Sequence, residues 1–400
     1  MCYIESMNVC VIGAGPAGLM AALAASQNGH QVSLYEKNPS VGKKLSMTGN
    51  GRCNITNSAA IQDFLTHVHS NPRFLYSAFH TFFNQDIIQL MESQGVLCKE
   101  EDNGRIFPVS NRSQDVIGAL KTCLHHNGVF IYTNKTIQGL WIEESICKGI
   151  DLGNKKEAFD HIILTTGGCS YPMTGSDGTA YQWLKDCGHT IISPREALVP
   201  IRCKVSSQLA GLTLQNIELS LQTGQFRGDL LFTHTGISGP VVINSSDSYK
   251  EKETISLDLF PTTSKEQLDQ EILNRFNTNP NKTILNALLG IVPKRLLPII
   301  IEVNKIPTDR PVHQITKEQR LSLVQTLKDY KIETIGTEGW NQAMVTAGGV
   351  DVKNINPKNM TSKIIQNLSL AGEIIDVHAD TGGYNLQIAW STGFLAGHSV

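Results

Sequence analysis

Six residues, Gly13-Ala14-Gly15-Pro16-Ala17-Gly18, constrain this chain more than any others. An apolar run, Met7 to Ile12, precedes them, and an alanine- and leucine-rich stretch of helical spacing, Leu19 to Gln27, follows. Strand, tight turn and helix in that order, with glycines spaced G-x-G-x-x-G, predict a dinucleotide-binding unit. Gly13 makes the turn, Gly15 lets backbone approach a pyrophosphate, and Gly18 lets the helix sit close on the strand. The phosphates then rest on the helix N-terminus, where free N–H groups and the dipole favour anions. A second apolar run, Gln31 to Tyr35, ends in Glu36, eighteen residues past Gly18. A carboxylate at that spacing accepts from both ribose hydroxyls of an adenosine, and its charge disfavours a 2′-phosphate.

Four hundred residues exceed one compact core, so two or three domains are expected. A net charge of -2 gives no global pull toward a polyanion. Nine cysteines are scattered singly with no C-x-x-C pair, which argues against a zinc knuckle or a redox disulfide of the usual spacing, and no metal is expected. Their odd number and lack of a framework favour a reducing cytoplasm. Val9 to Ala25 resembles a membrane span in hydropathy alone. Glu5 stands where a basic flank belongs, and Gly13, Gly15, Pro16 and Gly18 interrupt it.

Beyond Glu36, Val41 to Asn57 is too polar and turn-rich for a core element and reads as a loop with something to hold. Asn71-Pro72 is expected to cap one helix reaching about Gln94. Asp102-Asn103-Gly104 reads as a hairpin turn between Val96 to Glu100 and Arg105 to Phe107. A helix from about Ser113 to His126 is followed by strands at Val129 to Tyr132, Ile137 to Glu143, Ile146 to Leu152 and His161 to Thr165. The last stops at Gly167-Gly168, where backbone approaches something closely. From about Arg195 the texture changes. Leu198 to Lys204, Ile217 to Gln222, Leu230 to Thr233 and Thr254 to Phe260 read as strands of a small sheet or barrel, and Ser264 to Asp329 as helical. Met344 to Gly349 and a buried strand Leu368 to Ile375 resume the first texture. The expected organisation is therefore a domain in two parts, 1–194 and 344–400, around an insertion, 195–343. That insertion is β-barrel-like over about 195–262 and helical over about 263–330.

The C-terminal part carries the second constraint. A strand ends in Gly372-Glu373, with Asp376 three residues on, before Thr381-Gly382-Gly383-Tyr384-Asn385-Leu386 and a small-residue helix, Gln387 to Gly397. A carboxylate at a strand end and a glycine turn at a helix start suit a sugar-alcohol chain and an electron-rich ring. N–H groups at Asn385 and Leu386 then turn the helix's positive end toward the ring.

Gly13 to Gly18 with Glu36, Thr165-Thr166-Gly167 and Ala371-Gly372-Glu373 are similar to the three fingerprints of two-dinucleotide-fold FAD flavoproteins. Four further blocks narrow the resemblance to the YhiN/BaiN-like (HI0933-type) FAD-dependent flavoprotein family. They are Gly49 to Asn57, Phe232 to Pro240, Val345 to Val350, and Gly372-Glu373 with the turn through Asn385. The resemblance spans almost the whole chain, with one departure at Ala379, where relatives often carry glycine. It implies an α/β fold: a Rossmann-like FAD-binding domain of the glutathione-reductase type, interrupted by a β-barrel-like part and a small helical part. It also implies one non-covalent FAD whose ring lies where the insertion faces the first domain. Carried onto this chain, Gly13, Ala14, Gly15, Pro16, Ala17, Gly18, Glu36 and Lys37 serve the ADP half. Ile137 covers adenine, Thr166 and Gly167 lie on the pyrophosphate side, and Gly372, Glu373 and Asp376 on the ribityl side. Lys44, Leu45, Asn50, Arg52, Asn54, Gly383, Asn385 and Leu386 surround the isoalloxazine.

A flavin carries the hydride chemistry, leaving the protein to orient, stabilise charge and supply a proton. Cys53 and Arg52 are candidates because their loop approaches the ring. Cys53 serves as general acid or packs beneath the ring as a buried thiol, and Arg52 acts on substrate or anchors the loop. His234 polarises substrate or fixes its turn. With a single G-x-G-x-x-G, NAD(P)H has no domain of its own and would visit the exposed flavin face. Three alternatives stand, two of them implied by the relatives' activities. One is NAD(P)H-driven reduction of a conjugated or uracil-type C=C bond, in a small molecule or in a uridine of ribosomal RNA. Another is oxygen-dependent oxidation of a small amine such as aminoacetone; the third, of a different class and not drawn from the relatives' activities, is a non-catalytic FAD-containing RNA- or ribosome-binding factor. Residues 272–320 hold eight basic side chains against three acidic, enough to steer an RNA backbone or to form a solvated face. No membrane partner is expected, and the sequence leaves the oligomeric state open.

Overall fold

A computed structural model describes residues 6–400 and divides into two compact units: the chain up to Glu196 with Ala343–Val400, and Ala197–Gln342. The first unit is built on a five-stranded parallel sheet in the order Leu368–Leu370, His161–Leu164, Asn8–Ile12, Gln31–Tyr35, Phe130–Tyr132. Asn8–Ile12 lies at its centre with four of five residues buried, as expected of a parallel strand covered on both faces. One edge strand comes from the far end of the sequence, so this sheet is complete only when the chain returns.

The same closure is made by helices. Nine of the twelve residues of the first helix, Pro16–Gln27, are buried, and eleven of the fifteen in the closing helix, Tyr384–His398. Small residues let the two touch backbone to backbone. A Cβ on Gly393 would lie 2.2 Å from the Ala17 carbonyl oxygen, and one on Gly397 2.1 Å from that of Ala21.

The second unit holds a closed six-stranded barrel, ordered Ile201–Cys203, Gly236–Ser238, Gly224–Phe232, Thr213–Leu221, Thr254–Asp258, Tyr330–Thr337. Helices Lys265–Thr278, Ile284–Ala287, Leu297–Val303 and Lys317–Lys328 lie between its last two strands in sequence. The fold is thus the expected α/β architecture, a Rossmann-type domain with a barrel and a helical part.

Several local expectations are corrected. The single helix expected from Asn71 to Gln94 is a 3₁₀ turn, Pro72–Leu75, and two helices, Tyr76–Thr81 and Asn84–Ser93. Phe82 is extended (φ -153°, ψ 117°), stacking on Phe394 at 4.6 Å, and the Asp86 carboxylate accepts the Phe83 amide at 2.6 Å to start the next helix. Burying Phe79 and Phe82 outweighs continuing one helix. Asn71 does stand at the cap position before Pro72, but it is left-handed (φ 52°) and makes no side-chain cap; its side chain donates instead to the Asp376 carbonyl at 2.8 Å. The strand expected over Leu368 to Ile375 ends at Leu370, because Gly372 turns the backbone at φ 77°. Strands Lys156–Ala158, Gly236–Ser238 and Tyr330–Thr337 were not foreseen, although alternating burial along the last is a strand signature.

Candidate cofactor site

The three motif glycines meet three different surroundings. Gly13 is left-handed (φ +99°), and a Cβ there would lie 2.6 Å from the Thr165 carbonyl oxygen. At Gly18 a Cβ would fall 1.8 Å from the Gly13 carbonyl oxygen. Gly15 has nothing within 4 Å of its Cβ position. Turn, open approach and close packing are separate jobs, and the open position caps a helix with no side-chain cap and no acid in its first turn. Such an end favours an anion.

Glu36, 8% exposed, is tied into that turn. Oε2 accepts the Ala14 amide at 2.9 Å, and Oε1 accepts the Asn38 amide and side-chain nitrogen at 2.8 and 2.6 Å. The Lys135 amide donates to the Glu36 carbonyl, bringing the stretch that leads to buried Ile137 alongside. Lys37 turns to Asp177, 2.8 Å away. On the opposite side of the turn, Gly167 is left-handed (φ +77°), and a Cβ there would crowd Ser176 Oγ at 2.7 Å.

At the neighbouring strand end, Glu373 follows left-handed Gly372, whose amide donates to Thr392 Oγ1 at 3.0 Å. Glu373 accepts from Lys44 Nζ and Ser170 Oγ, each at 2.5 Å, and from the Thr346 amide at 2.8 Å. Burial pushes its carboxyl up, but the Lys44 ammonium and these hydrogen bonds together hold it below the ordinary glutamate value. Asp376 stands apart from this group, its carboxylate meeting Asn71 Nδ2 at 3.1 Å. There burial prevails over Asn71, His378, the Gly348 amide and Arg195, and its pKa is raised.

The polar loop after Lys44 starts at buried Leu45 and is wound tightly. Gly49, Asn50 and Gly51 are consecutive left-handed residues, and Cys53 is left-handed as well (φ 63°). The Arg52 guanidinium lies 4.0 Å over the Phe107 ring, with Nη2 2.5 Å from Glu101 and Nε 3.0 Å from Asn111. In that position it anchors the loop. Cys53 is fully buried, and burial pushes its thiol up to about 12 despite a hydrogen bond from Thr48. Gly383 is left-handed (φ +98°), and a Cβ there would lie 2.3 Å from the Thr56 carbonyl oxygen and 3.0 Å from Asn54 Oδ1. The Asn385 side chain ties down the preceding turn: Oδ1 accepts the Ala379 amide at 2.9 Å, and Nδ2 donates to the carbonyls of Ala379 and Asp380. With its side chain so engaged, what Asn385 can offer a ligand is its backbone N–H, at the start of the closing helix beside that of Leu386. Ala379 is fully buried without a left-handed backbone, so its methyl adds no strain.

Sequence reasoning passed over Ser170 and Thr346, although Thr346 lies in a block singled out above and Ser170 follows the Gly167-Gly168 pair. It also missed a histidine cluster. Asp380 accepts from His67 Nδ1 at 2.9 Å and His69 Nε2 at 2.8 Å, with His67 stacked on Tyr384 and His69 on His378. Burial raises the Asp380 carboxyl, but the two histidines bring it below the ordinary value. His234 belongs to the second unit, exposed on a turn that Thr233 closes by accepting the Gly236 amide at 3.0 Å. Among the described residues no group of three His, Cys, Asp or Glu side chains could hold a metal ion, and no helix is long and apolar enough to cross a membrane.

The residues fit the expected cofactor by a test the fold itself supplies. Among the described residues three buried polar side-chain atoms lack a hydrogen-bond partner: Asn54 Oδ1, Thr166 Oγ1 and Ser176 Oγ. Buried and unpaired groups of this kind are costly. Two belong to residues assigned to the cofactor, and the third borders Gly167.

A phosphate-ready turn tied to one carboxylate, with a second carboxylate fixed at a neighbouring strand end, defines the class: a Rossmann-type FAD-binding oxidoreductase. The chain belongs to the HI0933-like family, whose model, described as the HI0933-like protein Rossmann domain, matches residues 7–399. It is 30% identical over 402 residues to a ribosomal RNA dihydrouridine synthase of Escherichia coli, covering 99% of this chain and 98% of that protein. It is 31% identical over 406 residues to a 3-dehydro-bile acid delta(4,6)-reductase of Clostridium scindens, covering 98% of each. Among solved structures, a 3-ketosteroid-delta4-(5alpha)-dehydrogenase of Rhodococcus jostii superposes with a TM-score of 0.51 at 15% identity, over 100% of this chain and 98% of that one. That likeness is one of fold.

Proposed function

We propose that this protein reduces a conjugated or uracil-type C=C bond with FAD and NAD(P)H, and that a uridine of ribosomal RNA is the first substrate class to test. One observation carries the reading. Two relatives of nearly full coverage carry names that both describe adding two hydrogens across a conjugated double bond, on substrates as unlike as RNA and a bile acid. What they share is then the reaction, and what varies is the substrate site.

When bound, FAD supplies the hydride chemistry. The chain's part is to hold and polarise. The Gly13 to Gly18 turn and the N-terminus of Pro16–Gln27 take the pyrophosphate, with Thr166 and Ser176 hydroxyls free to bond alongside. Glu36 takes the adenosine ribose and Glu373 the ribityl chain; Lys44, expected at the isoalloxazine, is moved to the ribityl end in this reading because it pairs with Glu373. The amides of Asn385 and Leu386 open the closing helix, which has no side-chain cap and no acid in its first turn, so negative charge on the ring's electron-rich edge is favoured there. Arg52 and Cys53 shape the loop beside the ring. NAD(P)H visits rather than resides, since the chain holds one dinucleotide turn.

For RNA, Lys282, Lys294, Lys305 and Lys317 of the helical part are exposed, whereas Arg275 and Arg320 are committed to Glu271 and Asp269. Four exposed lysines suit a phosphate backbone. We place the protein in the cytoplasm, where its eight described cysteines, all free, stay reduced.

The test is mass spectrometry of ribosomal RNA after incubation with the purified holoprotein and NADPH under nitrogen. The reading expects flavin bleaching and a two-dalton gain on one uridine. Bleaching without that gain removes RNA but keeps the reductase. No bleaching by NADPH, with peroxide released from aminoacetone in air, replaces the reductase by an amine oxidase.

A further inference from the structure

Around Glu373 three stretches of the first unit close into one hydrogen-bonded object. Ser170 Oγ donates to Glu373 Oε1 and receives Lys44 Nζ, each at 2.5 Å, and Lys44 Nζ also reaches Oε2 at 2.5 Å. Thr346 joins this ring to the backbone on both sides. Its amide donates to Glu373 Oε1 at 2.8 Å, and its hydroxyl oxygen accepts the amides of Cys169 and Ser170 at 2.8 and 3.2 Å. Ser170 and Thr346 are 0% and 1% exposed, while the Lys44 and Glu373 side chains each keep 21%. The buried pair therefore grips the two partly exposed charges from behind. Gly168 is part of the fit, since a Cβ there would lie 2.3 Å from Thr346 Oγ1.

The chemistry presented outward is an ammonium donor beside a carboxylate acceptor. On a carboxylate with about four lone-pair sites, Oε1 takes two protein donors and Oε2 one, which leaves acceptor capacity on Oε2. A polyol matches this, because each of its hydroxyls donates once and accepts as well. A nucleoside phosphate does not, because the carboxylate repels it. Holding the carboxylate in one orientation beforehand removes ordering cost from the binding step.

We propose that Ser170 and Thr346 are positioning residues for the ribityl end of the cofactor: they set Glu373 and Lys44 before it binds, and they act on that end alone. This rests on the reading of the site as an FAD site. The consequence is a split in affinity between the two ends of one ligand, with the adenosine end held at Glu36.

The split is measured by titrating apoprotein with FAD, followed by fluorescence quenching, and separately with ADP, followed by calorimetry. Thr346→Val removes the hydroxyl acceptor and keeps the amide. It is expected to raise the FAD Kd about tenfold, the size of one lost hydrogen bond, and to leave the ADP Kd within about twofold. Ser170→Ala should do the same, and Thr346→Ser, which restores the hydroxyl, should return the FAD Kd toward the starting value. An unchanged FAD Kd in both Thr346→Val and Ser170→Ala overturns the proposal. Equal weakening of FAD and ADP overturns it too, since the residues would then support the domain as a whole. Should the unaltered protein bind ADP and not FAD, the failure lies with the FAD reading, and the proposal falls with it.

Discussion

Glu36 Oε2 accepts the backbone amide of Ala14 at 2.9 Å, so the acid assigned to the adenosine ribose and the turn assigned to the phosphates are held together. With Oε1 engaged by Asn38, the same carboxylate that meets the ligand also braces the turn. Glu36→Ala should therefore do double damage. The Ala14 amide loses its acceptor in a buried place, and the ligand loses its ribose partner, each loss worth about 1–3 kcal/mol. FAD and ADP affinities are expected to fall together, by tenfold or more, with a lower Tm for the apoprotein. A variant that binds ADP as before would take Glu36 out of the site.

The motif glycines should separate folding from binding. Gly18→Ala places a methyl 1.8 Å from the Gly13 carbonyl oxygen, in a packed helix–strand contact with no flexible neighbour to give way. A loss of about 3 kcal/mol in denaturant unfolding is expected. Gly15→Ala meets nothing within 4 Å, at an ordinary extended backbone (φ -79°, ψ -174°). Its stability should hold or rise by a few tenths of a kcal/mol, about the gain from a stiffer unfolded chain. Its methyl fills the approach to the pyrophosphate, so FAD and ADP binding should weaken about a hundredfold. If Gly15→Ala binds both ligands normally, the phosphates lie elsewhere.

These glycines were legible because each has a local steric reason that survives in a short stretch of sequence. The central strand was legible for the same reason, as an apolar run that only a doubly covered sheet needs. What escaped depends on partners far along the chain. Ser170 meets Glu373 across 203 positions and Lys44 across 126, and nothing periodic around Ser170 announces either. Tyr330–Thr337 was missed because four helices separate it in sequence from the strand it pairs with, Thr254–Asp258, even though its own alternation was visible. At Asn71 the local rule found the cap position and its proline, but a tertiary hydrogen bond to Asp376 took the side chain that the rule assigns to the helix start. The proton donor was not legible at all, since any buried or exposed acid near the ring would satisfy the sequence equally.

The Lys44–Glu373 pair gives a signed pH dependence. In the folded protein the Glu373 carboxyl sits below its ordinary value of 4.5. The pair's contribution is therefore fully present above about pH 4.5 and is lost as pH falls through the lower folded value. Lys44→Met removes the ammonium and leaves burial, the largest influence on this carboxyl, opposed only by the Ser170 and Thr346 hydrogen bonds, so the carboxyl is expected to rise above its ordinary value. The sign then reverses: the variant loses stability as pH rises through the new, higher folded value. The Tm gap between the two proteins should be wide at pH 7 and narrow toward pH 4. A gap that stays constant from pH 4 to 8 would mean the lysine acts through its alkyl chain and not its charge.

Cys53 is the sequence's candidate for proton donor, and its burial permits a decisive test. A fully buried thiol raised to about 12 is a weaker acid than a free one and resists alkylation. In native protein at pH 8, Cys53 should stay unmodified by iodoacetamide while half-buried Cys169 and Cys187 react, with Cys98, pushed up to about 11 by burial, slower than these two, and Cys53 should label only on unfolding. Loss of a general acid costs about 10²–10⁴ in rate. A small packing residue on a left-handed backbone costs far less when replaced by one of similar size. Cys53→Ser should accordingly keep flavin reoxidation by substrate within about tenfold, with the proton supplied from elsewhere. A fall of a thousandfold with FAD still bound would return Cys53 to the reaction as its proton donor.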